Sequence, residues 1–167
     1  NLQEMANTII YVQEHGYNTQ TELKSAFSES QKQLDQATDQ LMEMNADLKS
    51  INQQIHYTGQ YFAHKAIYTE FLKAKNKGRF RKEHTAEIQA YEVARDWLKS
   101  FYSDGKMLSI KTLKEQKDSL QEQINQQKSS IRSLKDLTQD LRTVDKNVEA
   151  ILHNQVPKKQ RTQEPEL

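Results

Sequence analysis

Cysteine is absent from this 167-residue chain, and proline and glycine are scarce, with two and four residues. Without cysteine the chain has no disulfide framework, no thiolate nucleophile and no cysteine-ligated zinc site. The absence fits a reducing compartment, and we expect a cytoplasmic protein. No apolar run approaches the ~20 residues that a membrane-spanning helix needs, so we expect no membrane insertion. No secretory signal opens the chain, and its first residue, Asn1, predicts a piece of a longer polypeptide.

The composition favours long helices over a thick core. Only 35% of the residues are hydrophobic, and 20 of the 167 are glutamine. Disordered chains usually carry more proline and glycine than this. Lys and Arg exceed Asp and Glu by 24 − 23 = 1, so the bulk charge predicts no partner. Two long stretches, 17–58 and 106–156, contain neither glycine nor proline.

The first of these stretches carries a heptad repeat. Apolar residues recur every seven positions, at Phe27, Leu34, Leu41, Leu48, Ile55 and Phe62. Three residues after four of these positions lies a second series, Ala37, Met44, Ile51 and Thr58. Such a seam over about five heptads predicts a coiled-coil helix, here from about Thr21 to Lys75. Thr19 and Glu22 predict a capping box at its start. A short helix over 2–14 is expected to precede it.

The last stretch carries a second seam of the same kind: Leu113, Leu120, Ile124, Ile131, Leu134, Leu137, Leu141, Val144, Val148 and Ile151. Two consecutive steps of three, at Leu134 and Leu137, predict a local phase slip. Ser109 is the predicted N-cap, and Pro157 lies just past the expected end. The predicted coiled-coil core is therefore Leu34, Leu41, Met44, Leu48, Ile51, Ile55, Leu120, Ile124, Ile131, Leu134, Leu141, Val144, Val148 and Ile151.

Ten of the 13 aromatic residues lie between Tyr57 and Tyr102. A buried helix face is predicted there, formed by Ile88, Tyr91, Ala94, Leu98 and Phe101. Trp97 is expected to be buried with it. We therefore predict an all-α fold, an elongated antiparallel helical hairpin (coiled coil) with a small aromatic-rich helical head. The predicted segments are a short N-terminal helix (1–18), two arms (19–58 and 109–153), the head (59–108) and a disordered tail (154–167). The alternative to pairing within the chain is a homodimer through either seam.

Catalytic and metal-binding patterns are lacking. The five histidines form neither H-x-H nor H-E-x-x-H, and no pair of them is spaced i, i+4. The carboxylate pairs at i, i+4 are those of a solvated helix surface. We predict no metal, no cofactor and no enzyme chemistry in this chain.

One charge cluster stands out, the run of residues 73–82, here called the basic turn. It holds six cations in ten residues and no acid, and six cations can neutralise several phosphates. With one aromatic ring among them for base stacking, the predicted nucleic-acid contacts are Lys73, Lys75, Lys77, Arg79, Phe80, Arg81 and Lys82. The alternative is a solvated helix end, where cations complement the helix dipole.

Several segments resemble the C-terminal region of relaxases, the mobilisation nucleases of Gram-positive conjugative and mobilisable elements. They are Ile55-His-Tyr-Thr-Gly-Gln-Tyr-Phe62, Tyr68-Thr-Glu-Phe-Leu-Lys-Ala-Lys75, Phe80-Arg-Lys-Glu-His84, Tyr91-Glu-Val-Ala-Arg95 and Thr143-Val-Asp-Lys-Asn-Val-Glu-Ala-Ile-Leu152. The opening Ile10-Tyr-Val-Gln-Glu-His-Gly16 is similar to the segment before the coiled coil there. The resemblance covers roughly residues 5–153.

The resemblance implies a parent enzyme that nicks one DNA strand at a transfer origin. The family's three-histidine metal motif does not occur in this sequence, so no catalytic residue carries over. The expected role is a non-catalytic extension that grips DNA or docks to protein partners of the conjugation machinery, the type IV secretion apparatus. The alternative is a purely structural coiled coil that dimerises or spaces other domains and touches no nucleic acid.

Overall fold

A computed structural model describes the backbone of residues 1–163 and the side chains of residues 1–154. All the regular structure in these residues is helical, so the all-α prediction is confirmed. The helices are α1 (Leu2–Glu14), α2 (Gln20–Lys73), α3 (Lys77–Glu83), α4 (Thr85–Phe101) and α5 (Ile110–Gln163). Across these residues, no helix combines the length and the apolarity that crossing a membrane requires.

The helix ends follow from local side chains. Thr19 Oγ1 accepts a hydrogen bond from the backbone N–H of Glu22, and the Glu22 carboxylate accepts one from the N–H of Asn18. This reciprocal arrangement satisfies donors at the start of α2 that have no partner within the helix. Ser109 Oγ accepts from the N–H of Thr112 in the same way at the start of α5. After α1, Gly16 adopts a φ of +71°, which glycine tolerates without strain.

The end of α5 differs from the predicted boundary. The helix continues to Gln163, whereas the arm was expected to end at residue 153 and to be followed by a disordered tail over 154–167. The added segment contains Gln, Lys and Arg, which favour helix, and the helix continues past Pro157. The rest of the predicted tail, residues 164–167, lies outside the described residues.

The chain divides into two compact units, which do not coincide with the predicted arms and head. Unit 1 comprises Asn1–Leu41 with Gln126–Leu167, and unit 2 comprises Met42–Asn125. Unit 2 therefore includes the predicted head, 59–108, together with parts of both predicted arms.

In unit 1, α2 and α5 run antiparallel. Lys24 on α2 pairs with Glu149 on α5 at 3.2 Å, and further along α2 the backbone carbonyl of Ala37 accepts from Gln127 Nε2 at 2.8 Å. The partner number on α5 thus falls as the number on α2 rises. The core of the unit contains Leu23, Leu141 and Val144, with side chains of α1 packed against it. Asn147 on α5 also donates to Thr8 on α1 at 3.0 Å. Unit 1 is thus a three-helix arrangement in which α1 covers the seam.

The seam of α5 follows a different path from the predicted one. Leu137 is 39% exposed, while its neighbour Thr138 is 3% exposed and shares a hydrogen bond with the buried hydroxyl of Ser30. The two consecutive steps of three therefore fall one heptad later, about two helical turns, at Thr138, Leu141 and Val144. Hydrophobic spacing selects Leu137, but the partner hydroxyl on α2 makes Thr138 the residue that can be buried. The fourteen predicted core residues are all buried or half-buried.

The Ser30–Thr138 pair leads to a stability prediction. Ser30→Ala is expected to lower the free energy of unfolding by about 1–2 kcal/mol, because it leaves the Thr138 hydroxyl buried without its partner. The double variant with Thr138→Val is expected to recover most of that loss, since neither polar group then remains. Urea unfolding of the two variants measures this. A double variant less stable than Ser30→Ala would contradict the polar pairing.

In unit 2, the apolar face of α4 packs against α2. Four residues of the predicted face are buried: Ile88, Tyr91, Ala94 and Leu98. The Tyr91 ring stacks between those of Tyr61 and Tyr68, with centroids 5.0 and 4.1 Å away. Burial and the neighbouring Tyr61 raise the pKa of Tyr91 to about 12.

Two residues expected in the core of unit 2 are more accessible than predicted. Phe101 is 44% exposed, so its predicted burial is wrong, and Trp97 is only half-buried. Phe101 is the last residue of α4, and its ring stacks on Trp97 rather than on the core residues. Phe62, predicted in the first seam, is 56% exposed. Its position is one heptad beyond the region where α2 and α5 line a common groove.

Candidate nucleic-acid interface

The basic turn, residues 73–82, contains the end of α2, a short connection and most of α3. After α2 ends at Lys73, the side chain of Asn76 accepts the backbone N–H of Arg79 at 3.0 Å and caps α3. His84 then closes α3 and precedes α4. Cations from two helices are therefore held on one ordered reversal of the chain.

Arg81 is engaged within the protein. Its guanidinium donates to both carboxylate oxygens of Glu92 on α4, at 2.8 and 3.3 Å, and lies 4.9 Å from the centroid of the Phe71 ring. A two-pronged pair of this kind fixes geometry more firmly than a single contact. The hydrogen bonds from Arg81 lower the pKa of Glu92, and those to Glu92 raise the pKa of Arg81. Arg81 thus ties α3 to α4, which limits its availability to a phosphate.

Two other predicted contact residues are also partly engaged. Arg79 pairs with Glu83 one turn later at 3.1 Å, in an exposed position where such a bridge contributes little. Phe80 is half-buried, and its ring centroid lies 4.5 Å from that of His84 and 6.3 Å from that of Phe71. Its ring fixes the position of α3, so Phe80 is poorly placed to stack on a base.

The other four predicted contacts form what we call the lysine cluster: Lys73, Lys75, Lys77 and Lys82. All four are exposed, and none forms an ion pair with any residue whose side chain the structure describes. Two carboxylates therefore offset two of the six cations, which leaves 6 − 2 = 4 positive charges. This arrangement suits contact with phosphates, because exposed ammonium groups reach an anion at little desolvation cost.

The lowered pKa of Glu92 predicts a pH dependence. The Arg81–Glu92 pair stabilises the fold fully above the ordinary glutamate pKa of 4.5, and this contribution is lost as pH falls through the lower folded-state value. We expect Glu92→Gln to be less stable than the parent at pH 7, with a difference that narrows below pH 4.5. Urea midpoints across this range measure it, with Glu83→Gln as the exposed control. A difference that widens in acid would contradict the assignment.

The sequence analysis did not identify the partners of Arg81 and Arg95. Glu92 is eleven residues from Arg81, beyond the i, i+4 spacing at which charge pairs are visible in a sequence. Arg95 pairs with Asp96 at 3.0 Å and donates to the Tyr68 hydroxyl at 2.9 Å. The reversal of the chain between α2 and α4 brings Arg95 and the Tyr68 hydroxyl together. The segments Tyr68–Lys75 and Tyr91–Arg95, quoted for the family resemblance, thus contain groups in direct contact.

Among the residues with described side chains, no group of three or more histidines and acids is positioned to hold a metal ion. No protein-family model, curated protein or solved structure matches the chain. The resemblance to relaxases stays a prediction that depends on the quoted segments.

Proposed function

We propose that this chain is a non-catalytic accessory region of a conjugative relaxase, which contacts the DNA backbone and docks to proteins of the conjugation machinery during DNA mobilisation. The observation that carries the DNA contact is the lysine cluster, four exposed ammonium groups on one ordered reversal of the chain. The relaxase parentage depends on the resemblance of the quoted segments. In this proposal the protein is cytoplasmic, and another part of the parent polypeptide nicks the DNA.

The proposed mechanism is electrostatic. Phosphates approach the lysine cluster and release condensed counterions, so binding is independent of base sequence and weakens with salt. Arg81 acts as a positioning residue: its pair with Glu92 holds α3 against α4 and so presents the lysines. The role of unit 2, which contains the basic turn, is to fix this basic surface on a helical scaffold.

The test is fluorescence anisotropy of labelled single-stranded and duplex DNA with the purified chain at about 50 and 200 mM salt. Four phosphate contacts predict affinity for duplex DNA that falls about 100-fold between these concentrations. Binding that does not change with salt would contradict the electrostatic mechanism. No binding at 50 mM salt would overturn the DNA contact and leave protein docking as the role of the region.

The second candidate is a structural spacer or dimerisation module that touches no nucleic acid. Its supporting observation is the helix pairing in unit 1, where α2 and α5 are joined by hydrogen bonds and a core. Since this seam is covered within the chain, we expect a molar mass of 19.6 kDa in solution by light scattering. Twice that mass would favour the dimerising alternative.

A further inference from the structure

Three aromatic rings of unit 2 form a continuous stack. The Tyr57 ring on α2 lies 4.5 Å from that of Trp97 on α4, centroid to centroid, at an interplanar angle of 23°. The Trp97 ring in turn lies 4.8 Å from that of Phe101 at 8°. We call these three rings the aromatic stack. At the outer end of the stack, Phe101 is 44% exposed, and its ring also meets that of Tyr102 in a T-shaped arrangement, with the centroids 4.9 Å apart.

The aromatic stack does not belong to the core face of α4. The core face contains Ile88, Tyr91, Ala94 and Leu98. Trp97 and Phe101 continue a separate line with Val93, at spacings of four, and Val93 is 57% exposed. A second apolar line on a helix that already buries one face is unusual for a surface in contact with water alone.

A shallow, open groove along one face of α2 begins at Tyr57, the inner member of the aromatic stack. None of the described residues that line it is acidic. Its polar lining consists of three carboxamides, an ammonium group and an imidazole, those of Asn45, Asn52, Gln53, Lys49 and His56. We call it the amide groove. Carboxamides both donate and accept hydrogen bonds, as the edges of bases require, and Lys49 suits a phosphate. The carboxylate of Asp96, next to Trp97 in the sequence, is paired with Arg95 at 3.0 Å, so its negative charge is offset.

We propose that the aromatic stack and the amide groove form a stacking site for the bases of single-stranded DNA. Open rings bind unpaired bases of any sequence, whereas bases in a duplex already cover each other's faces. The inference rests on the proposed DNA contact and adds to it, because the lysine cluster binds phosphates of either form while the aromatic stack selects the single strand. Lys73 is 16 residues beyond Tyr57 on α2, about 24 Å along the helix axis. A strand of about 12 nucleotides can span that distance.

The chain contains a single tryptophan, Trp97, so its fluorescence reports on the aromatic stack without interference from another site. The experiment titrates the intact chain with a 12-mer of deoxythymidine and with a 12-base-pair duplex of mixed sequence, and follows Trp97 emission and the anisotropy of a labelled probe. We expect the 12-mer to quench Trp97 and the duplex to leave its emission unchanged.

A matched pair of variants tests the exposed ring. Phe101→Ala is expected to weaken binding of the 12-mer about 5- to 10-fold, because one stacking contact is lost. Phe62→Ala removes a phenylalanine of unit 2 that is outside the aromatic stack and more accessible than Phe101, 56% against 44% exposed. It is expected to leave binding unchanged. Wild-type quenching needs no variant and so does not depend on how Phe101→Ala folds.

The outcomes separate this inference from the proposed function. If the 12-mer binds with salt dependence but leaves Trp97 unquenched, and Phe101→Ala binds as Phe62→Ala does, the stacking site is wrong and the DNA contact stands. Equal quenching by the duplex also overturns the selectivity for single strands. If neither probe binds, both the stacking site and the DNA contact are overturned.

Discussion

Leu141→Ala is expected to lower the free energy of unfolding by about 2–5 kcal/mol, the largest stability effect that we predict. Leu141 is 1% exposed and packs in the core of unit 1 with Leu23 and Val144. Because only 35% of the residues are hydrophobic, few neighbouring side chains can move into the cavity that the truncation leaves. The lost burial and the residual cavity therefore add to each other. Thermal unfolding followed by circular dichroism is expected to show a midpoint lowered by about 5–15 °C.

Leu137→Ala is the matched control, because it deletes the same atoms one turn earlier on α5. Leu137 is 39% exposed and is replaced in the seam by Thr138, so its truncation is expected to cost less than about 1 kcal/mol. Equal losses for the two leucines would mean that the seam follows the spacing predicted from hydrophobicity alone. The comparison thus tests the position of the phase slip as well as the core.

Replacement of the lysine cluster by glutamine, at Lys73, Lys75, Lys77 and Lys82, is expected to weaken DNA binding about 10- to 100-fold at 50 mM salt. The same variant is expected to reduce the slope of log affinity against log salt by about 3 to 4, since each phosphate contact contributes about 0.9. Arg81 stays in place, because its pair with Glu92 holds α3 to α4. Anisotropy titrations at several salt concentrations measure both quantities.

A second quadruple variant controls for total charge. Glutamine at Lys32, Lys128, Lys135 and Lys146 removes the same number of exposed cations, but from unit 1. It is expected to change the affinity less than threefold, because the proposal assigns the phosphate contacts to the basic turn of unit 2 and none of these four lysines belongs to it. Equal losses in the two variants would indicate attraction to overall charge, and the basic turn would then have no special role.

The sequence predicts the helices well because their determinants are local. The heptad spacing predicts α2 almost to the residue, 21–75 against an observed Gln20–Lys73, and the helix continues through Gly59 without a break. The Thr19–Glu22 cap and the Ser109 cap are visible as spacings of three. The basic turn is equally visible, since all its cations lie within ten residues.

Partner choice is where the sequence is insufficient. Thr138 displaces Leu137 from the seam because Ser30 lies opposite on another helix, and no property of α5 alone reveals that hydroxyl. Arg81 and Phe80 lie in the same ten-residue run as the lysine cluster, yet they contact Glu92 and Phe71 within the protein. Phe101 has the spacing of a core residue and is accessible because α4 ends there.

By itself, the sequence determined most of the helical segments, where α1, α2 and α5 begin, and where positive charge accumulates. These properties depend on neighbours within about four residues along the chain, through backbone hydrogen bonds, capping side chains and side-chain spacing. Only the tertiary structure decided which cations remain exposed and which rings stack on one another. Those outcomes depend on residues that meet when the helices pack, such as Arg81 and Glu92, 11 positions apart, and Tyr57 and Trp97, 40 positions apart.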